Sequence, residues 1–547
     1  MKRFVFVVIF IFFLGFYLEY GKGKQLTTTS YIEFSEQEHI QNIMINEKKH
    51  GFEQTVTKEQ VYLNSKDTIY TYKILTSPNS FLKITKRTLD NGDFFIFTSL
   101  ENNSTNPIDV TVTFPIPEVS HYTLQPFDQF LAGRRYNEDI GFDLTTNPLG
   151  LLTTYNGSEY YSNVMISKIY HSKELSQTYE DERESIVREL ISENRDVDVI
   201  VKKDQLQIKL DMESLGEDIV DHWSLFSEKE LFTSDHSFDE WIKKSNYHKW
   251  KTNSWYTAKG PYKKLVTTVE PLPESKLNYG RNLLLVKDFS ALEEYKETKE
   301  RYFYDLVLNS IANLTVFKGN KEFWETEITS TWLKREYGIE APYIDTRHNE
   351  GIALFLEETG DLLEIPELKI ALLNYADLLV DQIESRKVLK IASDAFLISD
   401  YFSFYQDTLP THSSLNHVLG GLNLLLKSYI ETKNEEYLKS AYYIQNAIDI
   451  IGEKWLTDEG DTWYQIGPDM TFQGEDYTLL TLKDLLHTYE LWKEIDSKKI
   501  NTIEVLVTSK ASYLINKEIG LSQEIVKLLI NNGFDEVIKN YNNILPY

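Results

Sequence analysis

The chain is predicted to be an α+β protein, in which an N-terminal antiparallel β domain, a sandwich or a barrel, precedes an α/α-toroid-like domain of helical hairpins. Strand-like runs in the first half, helical periodicity after residue 291 and a weak repeat of helix ends support this prediction. A chain of 547 residues also exceeds the size at which one core keeps growing. We predict an export segment over 1–24, a β-rich domain over 25–290 and the helical domain over 291–547.

Between residues 54 and 120, β-branched and aromatic runs alternate with turn residues, as is typical of an antiparallel meander. Asn91-Gly92 predicts a two-residue type I′ hairpin, because both central residues of that turn need positive φ. A second hairpin is predicted around Lys203-Asp204. The charged residues 180–193 are interpreted as an exposed helix, and three prolines are interpreted as part of a linker: Pro261, Pro271 and Pro273.

In the second half, apolar residues recur with i, i+3, i+4, i+7 spacing over 415–429, which predicts one apolar helix face. Ser413 or Ser414 stands at the expected N-cap, and Pro366 can open another helix because the first turn needs no N–H there. Residues 355–361 and 429–434 both end a helix with polar residues, which indicates repeated hairpins. Such hairpins stack side by side or close into a toroid around a central cleft.

Lys2 and Arg3 precede an uninterrupted apolar run over residues 4–18, which is the pattern of an export signal. The run is shorter than the roughly 20 residues of a spanning helix, yet no strong cleavage site follows it. A cleaved signal peptide and a retained N-terminal anchor both stay open. In either case the residues after 24 are predicted to lie outside the cytoplasm, secreted or held at the cell membrane.

Composition excludes several classes of function. The formal net charge of -27 argues against nucleic acid, because phosphate binding needs clustered Lys and Arg. The chain has no cysteine, so disulfides and thiolate metal sites are excluded. No cofactor and no metal site is predicted, and a homodimer is compatible with the sequence. An acidic loop could hold a structural calcium, but a solvated turn is favoured because ligand spacing is lacking: Asp458, Glu459, Asp461, Glu475 and Asp476.

Two segments of the helical half carry a family resemblance. Residues 461–486 contain Trp463-Tyr464 and, later, Asp476-Tyr477, and they resemble the tyrosine-bearing segment near the end of D-glucuronyl C5-epimerases. Residues 410–426 resemble that family's Pro-Ser-Ser stretch and the helix after it. The resemblance covers about residues 300–495. It implies an α/α toroid that abstracts the proton α to a uronate carboxylate in a polysaccharide.

Carried over position by position, Tyr464 and Tyr477 match tyrosines that the family uses near the reacting sugar. The arginine of the family's first motif falls on Gly467. Before Pro410 the family has a glutamate-tyrosine pair. Two pairs of residues could occupy its place here: Thr408 with Leu409, or a shifted Tyr405 with Asp407.

Epimerisation at C5 needs proton-transfer groups on both faces of the sugar and a cation or strong donor at the carboxylate. Arg347 and His348 are predicted to supply the charge that Gly467 lacks, from a polar loop before a helix at 351. Helix capping with a surface ion pair explains these two residues equally well. His417 is expected to be a satisfied, partly buried histidine. Six residues are predicted to contact substrate: Tyr343, Glu350, Tyr405, Asp407, His412 and Trp463.

Other hypotheses stay open. A glycoside hydrolase on the same toroid would use two carboxylates that flank the bond, and the candidates are Asp345, Glu350, Asp407 and Asp461. A polysaccharide lyase would begin with the same proton abstraction and then eliminate the 4-substituent. A non-catalytic envelope protein would bind glycan through aromatic platforms alone.

Overall fold

The computed structural model describes residues 28–33, 42–47, 51–127, 147–247, 252–265, 267–275, 277–539 and 544–545. The predicted export segment, 1–24, lies outside these residues. Among the residues that are described, no helix is long and apolar enough to cross a membrane.

The first half of the chain is built mainly of strands. In chain order they are β1 (Thr28–Glu33), β2 (Asn42–Glu47), β3 (Phe52–Val61), β4 (Ser65–Ile74), β5 (Ser77–Leu89), β6 (Phe94–Asn102), β7 (Ile108–Pro117), β8 (His121–Pro126), β9 (Gly150–Asn156), β10 (Glu159–Ile166), β11 (Ile169–Thr178), β12 (Glu184–Asn194), β13 (Val197–Lys202), β14 (Gln205–Ser214), β15 (Asp218–Ser227), β16 (Trp255–Thr257), β17 (Gly260–Lys264) and β18 (Asn278–Gly280), with helix α1 (Asp235–Tyr247) before β16.

These strands form a sandwich of two antiparallel sheets. The small sheet has the order β1-β2-β7-β14-β13, and the large sheet runs β16-β17-β18-β12-β11-β15-β6-β5-β4-β3, with β8 to β10 attached through β15. Strand β6 explains how the large sheet serves two cores. Ile96 and Leu100 pack against the small sheet, whereas Phe95 and Phe97 belong to the core shared with the helices. Because successive side chains point to opposite faces, one apolar strand can contribute to both layers.

The structure corrects three expectations for this half. Residues 180–193 do not form a helix, because β12 pairs along its length with β11, and this pairing overrides local helix propensity. Asn91-Gly92 belongs to a longer loop in which only Gly92, not Asn91, has positive φ, at 91°. Pro261 lies inside β17 rather than in a linker. The hairpin at Lys203-Asp204 is confirmed, with φ of 50° and 59° at the two turn residues.

The second half is mainly helical, with short strands in its loops. In chain order the elements are α2 (Leu283–Val286), α3 (Phe289–Thr298), α4 (Arg301–Lys318), α5 (Thr331–Tyr337), β19 (Ile344–Asp345), α6 (Thr346–Leu362), α7 (Ile370–Glu384), β20 (Val388–Ala392), β21 (Ala395–Ile398), β22 (Tyr401–Phe402), β23 (Ser413–Ser414), α8 (Leu415–Thr432), α9 (Glu435–Ile451), β24 (Trp463–Ile466), β25 (Phe472–Glu475), α10 (Leu479–Ile495), α11 (Asn501–Asn516), β26 (Leu521–Ser522), α12 (Gln523–Asn531), α13 (Asp535–Ile538) and β27 (Ile544–Leu545).

Helical hairpins stack in two layers, which confirms the α+β architecture with a toroid-like helical domain. Helices α6, α8 and α10 contact one another in sequence, while α7, α9 and α11 each pack beside one of them. Alternate helices are parallel in such an arrangement, so the N-terminal ends of α6, α8 and α10 face the same side. The loops before these three helices contain β19, β23 and the β24–β25 hairpin.

One local expectation in this half needs correction, and the expected N-cap of α8 is confirmed. Helix α6 begins at Thr346, not at 351, so Arg347, His348 and Glu350 lie in its first turns instead of in a loop. Ser414 is the N-cap residue of α8, but its hydroxyl makes no capping bond. It donates instead to the carboxylate of Asp400.

Arg87 on β5 joins the large sheet to the helical domain. Its guanidinium forms a two-point contact with Asp67 on β4, with N–O distances of 2.8 and 2.9 Å. It also donates to the side-chain oxygens of Asn309 and Asn313 on α4, at 2.7 and 2.6 Å, and to the carbonyl of Ala258. The side chains of Arg87, Asp67, Asn309 and Asn313 are all buried. Loss of any one of them would therefore deprive another of a hydrogen-bond partner in the interior.

Replacing Arg87 with Met should lower the free energy of unfolding by about 3–5 kcal/mol, because Asp67 would stay buried without its cation. The measurement is the midpoint of urea unfolding. Lys66→Met is the matched control, since it removes an ion pair to Glu59 that is half exposed and should change the midpoint little. Equal midpoints in the two variants would contradict the assignment of Arg87 as the link between the domains.

Candidate active site

Asp400 lies at the centre of a polar cluster beside the N-terminal ends of α6 and α8. It follows β21, and its carboxylate is fully buried. Ser414 binds one carboxylate oxygen through its backbone N–H, at 2.7 Å, and the other through its hydroxyl, at 2.5 Å. Two histidine Nε2 atoms lie near the same carboxylate, that of His412 at 3.1 Å and that of His417 at 3.6 Å. We call Asp400, His412, Ser414 and His417 the Asp400 cluster.

The surroundings keep Asp400 ionised. Burial alone would raise the pKa of its carboxyl, but His417, His412 and the bonds from Ser414 outweigh burial, and the pKa lies below its ordinary value. An ionised Asp400 favours the proton of His412 on Nε2, which faces it. The Nδ1 atom of His412 can then accept a hydrogen bond from the phenol of Tyr337, 3.1 Å away. Tyr337, His412 and Asp400 therefore form a chain along which a proton can move.

Four tyrosines lie near enough to Asp400 for its negative charge to affect their pKa values. Burial raises the pKa of each one, and the charge of Asp400 adds to the rise; they are Tyr337, Tyr375, Tyr401 and Tyr464. The ring of Tyr401 packs near both histidines, with its centroid 5.8 Å from that of His412 and 6.1 Å from that of His417. These tyrosines accordingly stay protonated at neutral pH and can donate hydrogen bonds.

Tyr464 and Tyr477 lie side by side. Their ring centroids are 5.8 Å apart with an interplanar angle of 80°, and the side chain of Tyr477 is about half exposed. Tyr464 stands on β24, which pairs with β23 so that Ser414 is opposite Gln465. Its ring is held closely by Gly474, where a Cβ would lie 3.1 Å from the Cβ of Tyr464. The β24–β25 hairpin thus places Tyr464 next to the Asp400 cluster, and Tyr477, just after β25, packs against Tyr464.

Arg347 forms the centre of a second polar group. One guanidinium nitrogen donates to both oxygens of Glu350, at 3.0 and 2.8 Å, and to the carbonyl of Asn416; the other donates to Asp484 at 2.9 Å. A Cβ on Gly420 would collide with the ends of the Arg347 and Glu350 side chains, so a larger residue there would force this pair to shift. The positive charge of Arg347 is therefore already shared by two carboxylates.

Two carboxylates on one buried cation leave an excess negative charge, so a proton is held more tightly. Burial and the neighbouring Asp484 raise the pKa of Glu350 to about 7, despite the opposing charge of Arg347. Burial likewise raises the pKa of Asp484. Beside Gly351 of α6, burial lowers the pKa of Lys287 to about 8, and its ammonium contacts the carbonyls of Leu283 and Leu284.

The remaining predicted site residues are placed as follows. His348 is half-buried, and its ring lies 3.3 Å from Asp345, the N-cap residue of α6. Burial lowers the pKa of His348. Tyr343 is buried with its ring 6.1 Å from that of Tyr401, and Trp463 is partly buried on β24. Tyr405 and Asp407 are exposed, and the ring of Tyr405 lies 5.4 Å from the ammonium of Lys321.

The acidic loop is held by a lysine. The ammonium of Lys510 on α11 is fully buried and contacts Asp461 at 2.7 Å and Asp476 at 2.9 Å. Asp476 also accepts from the Thr462 hydroxyl, from the backbone N–H of Tyr477 and from Thr481. Within the described ranges, no group of His, Asp and Glu side chains is arranged to hold a metal ion.

Sequence reasoning missed Asp400, Tyr337, Tyr401 and Asp484. The signal for Asp400 is an acidic residue that follows the apolar run 395–398 after a single serine. Tyr337 is 75 residues away from His412 in the chain and Asp484 is 137 residues away from Arg347, so only tertiary contacts reveal these partners.

No protein-family model and no curated protein matches the chain. Solved structures do match. One is a family 76 glycoside hydrolase from a bovine Bacteroides thetaiotaomicron strain, with 11% identity over 78% of this chain and 87% of that chain, and a TM-score of 0.33. A D-mannose isomerase has 11% identity over 47% and 70%, with a TM-score of 0.32. A GH76 alpha-mannanase of Bacteroides thetaiotaomicron has 13% identity over 47% and 67%, with a TM-score of 0.30. Similarities this low carry no argument about what this chain does.

Replacing Lys510 with Met should loosen residues 461–477, because Asp461 and Asp476 would lose their common cation. We expect faster amide hydrogen exchange at Thr462 and Tyr477 and a loss of about 3–5 kcal/mol in unfolding free energy. Lys517→Met is the control, since it breaks an exposed ion pair to Glu459 next to the same loop. If both variants exchange at the wild-type rate, Lys510 does not hold the loop.

Proposed function

We propose that this protein is an extracytoplasmic, carbohydrate-active protein with an activity similar to that of the D-glucuronyl C5-epimerases. Its helical domain would abstract the proton α to the carboxylate of a uronate within a polysaccharide. The observation that carries the proposal is the contact between the phenols of Tyr464 and Tyr477 beside the Asp400 cluster. The resemblance in sequence requires these two tyrosines to share one sugar-sized site. The N-terminal segment would hold the protein at the membrane, or be cleaved to release it.

In this proposal two groups exchange protons with C5 from opposite faces of the sugar. On one face the Tyr337 oxygen accepts the C5 proton while its own proton passes to Nδ1 of His412, and Asp400 stabilises the resulting imidazolium. On the other face Tyr464, whose pKa burial raises, returns a proton to C5. Both groups then re-equilibrate with solvent, so the product carries a solvent-derived hydrogen.

The substrate carboxylate needs stabilisation as the charge of the enolate develops. Arg347 is saturated by Glu350 and Asp484, so we assign this role to the N-terminal ends of α6, α8 and α10, whose dipoles favour negative charge. His348 lies in the first turn of α6 and adds a polar group there.

A second candidate, glycoside hydrolysis, is favoured by the raised pKa of Glu350. A carboxyl group with a pKa near 7 is protonated in a large fraction of molecules at neutral pH, so it can act as a general acid that protonates the leaving sugar. Asp345, on the same helix end, is the nearest of the predicted partner carboxylates in sequence. A lyase would share the proton abstraction and differ in leaving an unsaturated uronate.

Tyr337→Phe and Tyr464→Phe should each strongly reduce deuterium incorporation at C5 of uronate polymers incubated with the protein in heavy water, because each change removes one of the two phenol oxygens that exchange a proton with C5. The measurement is mass spectrometry of the recovered uronate residues. Tyr489→Phe on α10, whose ring packs against Phe534, is the matched control and should incorporate deuterium normally. Normal incorporation in both site variants would remove the two tyrosines from the mechanism.

If the protein hydrolyses neutral glycans instead, the rate should fall as pH rises through about 7, because Glu350 loses the proton that the leaving group needs. Glu350→Gln should abolish this activity. A pH–rate profile on neutral oligosaccharides measures the effect. A rate that is flat between pH 6 and pH 8, roughly one unit on either side of that pKa, would exclude Glu350 as the acid.

A further inference from the structure

The large sheet contains a cavity that is separate from the Asp400 cluster. It has a volume of about 340 Å³ and lies on the side of the sheet that faces the helical domain. Its floor is formed by β4, β5, β6 and β15, and the turn after β16 together with Val316 of α4 covers it. This volume lies at the lower end of the roughly 300–1,000 Å³ that is usual for small-molecule sites.

Strand register places a row of polar side chains across the floor. Thr71 on β4 is opposite Lys83 on β5, Lys83 is opposite Ser99 on β6, and Ser99 is opposite Asp221 on β15. Directly opposite residues project to the same face of a sheet. Hydroxyl, ammonium, hydroxyl and carboxylate groups therefore stand side by side on four adjacent strands and border the same cavity.

Aromatic rings form the other part of the wall and are held rigidly. Phe97 is two residues before Ser99 on β6 and projects to the same face of the sheet. Tyr62 and Tyr256 are the other aromatic residues that line the cavity. The guanidinium carbon of Arg87 lies 5.2 Å from the ring centroid of Phe97 and 5.5 Å from that of Tyr62. Because Arg87 is fixed by Asp67 and α4, these rings are positioned before any ligand arrives.

Ion pairs already hold five of the six charged side chains that line the cavity. Lys83 contacts Glu101 at 2.6 Å, Arg188 contacts Asp221 at 2.7 Å, and Asp67 is held by Arg87. A charged ligand would have to compete with these ion pairs, whereas a neutral ligand rich in hydroxyls can bond to their outer edges and to Thr71 and Ser99. A sugar also offers apolar C–H faces to aromatic rings.

We propose that this cavity binds a short neutral saccharide, as a second carbohydrate site that does no chemistry. It lies in the β domain, so it would hold a glycan chain independently of the reaction at the Asp400 cluster. The proposal of a saccharide site in this cavity does not depend on the function proposed for the Asp400 cluster.

The test is isothermal titration calorimetry of the whole protein with cellobiose, maltose and mannobiose. We expect at least one of them to bind, and Thr71→Leu, which fills the cavity, to weaken that binding by about tenfold or more. Thr68→Leu is the matched control, because Thr68 is on the same strand but projects to the opposite face of the sheet. Its binding should equal that of the wild-type protein.

Three outcomes would overturn the proposal. The first is that none of the three disaccharides binds, and the second is that the Thr71→Leu and Thr68→Leu proteins bind equally well. The third is that Tyr464→Phe abolishes binding, because this would place the saccharide at the helical site. Ser99→Leu is a second cavity variant in case Thr71→Leu does not fold, and it should weaken binding in the same way. The far-ultraviolet circular dichroism of each variant verifies folding.

Discussion

The burial of one carboxylate, that of Asp400, organises the helical domain's polar centre. A buried ionised group must be compensated by nearby polar groups, and here they come from one segment, residues 412–417 at the N-terminal end of α8: the imidazoles of His412 and His417, and the hydroxyl and N–H of Ser414. The backbone of Asp400 also accepts from Thr346, at the first position of α6. Two inner helices are thus aligned through one residue.

The same charge sets the chemistry that the surrounding phenols can perform. A negative charge next to a buried tyrosine opposes phenolate formation, so Tyr401 and Tyr464 are donors rather than ready bases. A base in this site has to pass its proton on at the moment it accepts another. The chain Tyr337, His412, Asp400 has the geometry for this, and it parallels the logic of an oriented histidine between a hydroxyl and a carboxylate.

Two further buried cations connect distant parts of the molecule in the same manner. Arg87 joins the large sheet to α4, and Lys510 joins α11 to the loop that carries Tyr477. Each depends on a carboxylate that would be left unpaired if the cation were removed. The acidic loop, for which the sequence favoured a solvated turn over a calcium site, therefore has a protein ammonium between Asp461 and Asp476.

The sequence by itself determined the order of the two domains, the hairpin at Lys203-Asp204 and helix α8, because these follow from local periodicity and turn chemistry. It also singled out Tyr464 and Tyr477, through a motif that is contiguous in the chain. Only the tertiary structure decided that residues 180–193 form a strand, that Arg347 is neutralised by Asp484, and that Asp400 is the centre of the site. Sheet pairing and charge compensation join residues that are remote in sequence, and no local pattern records which partner a buried charge will find.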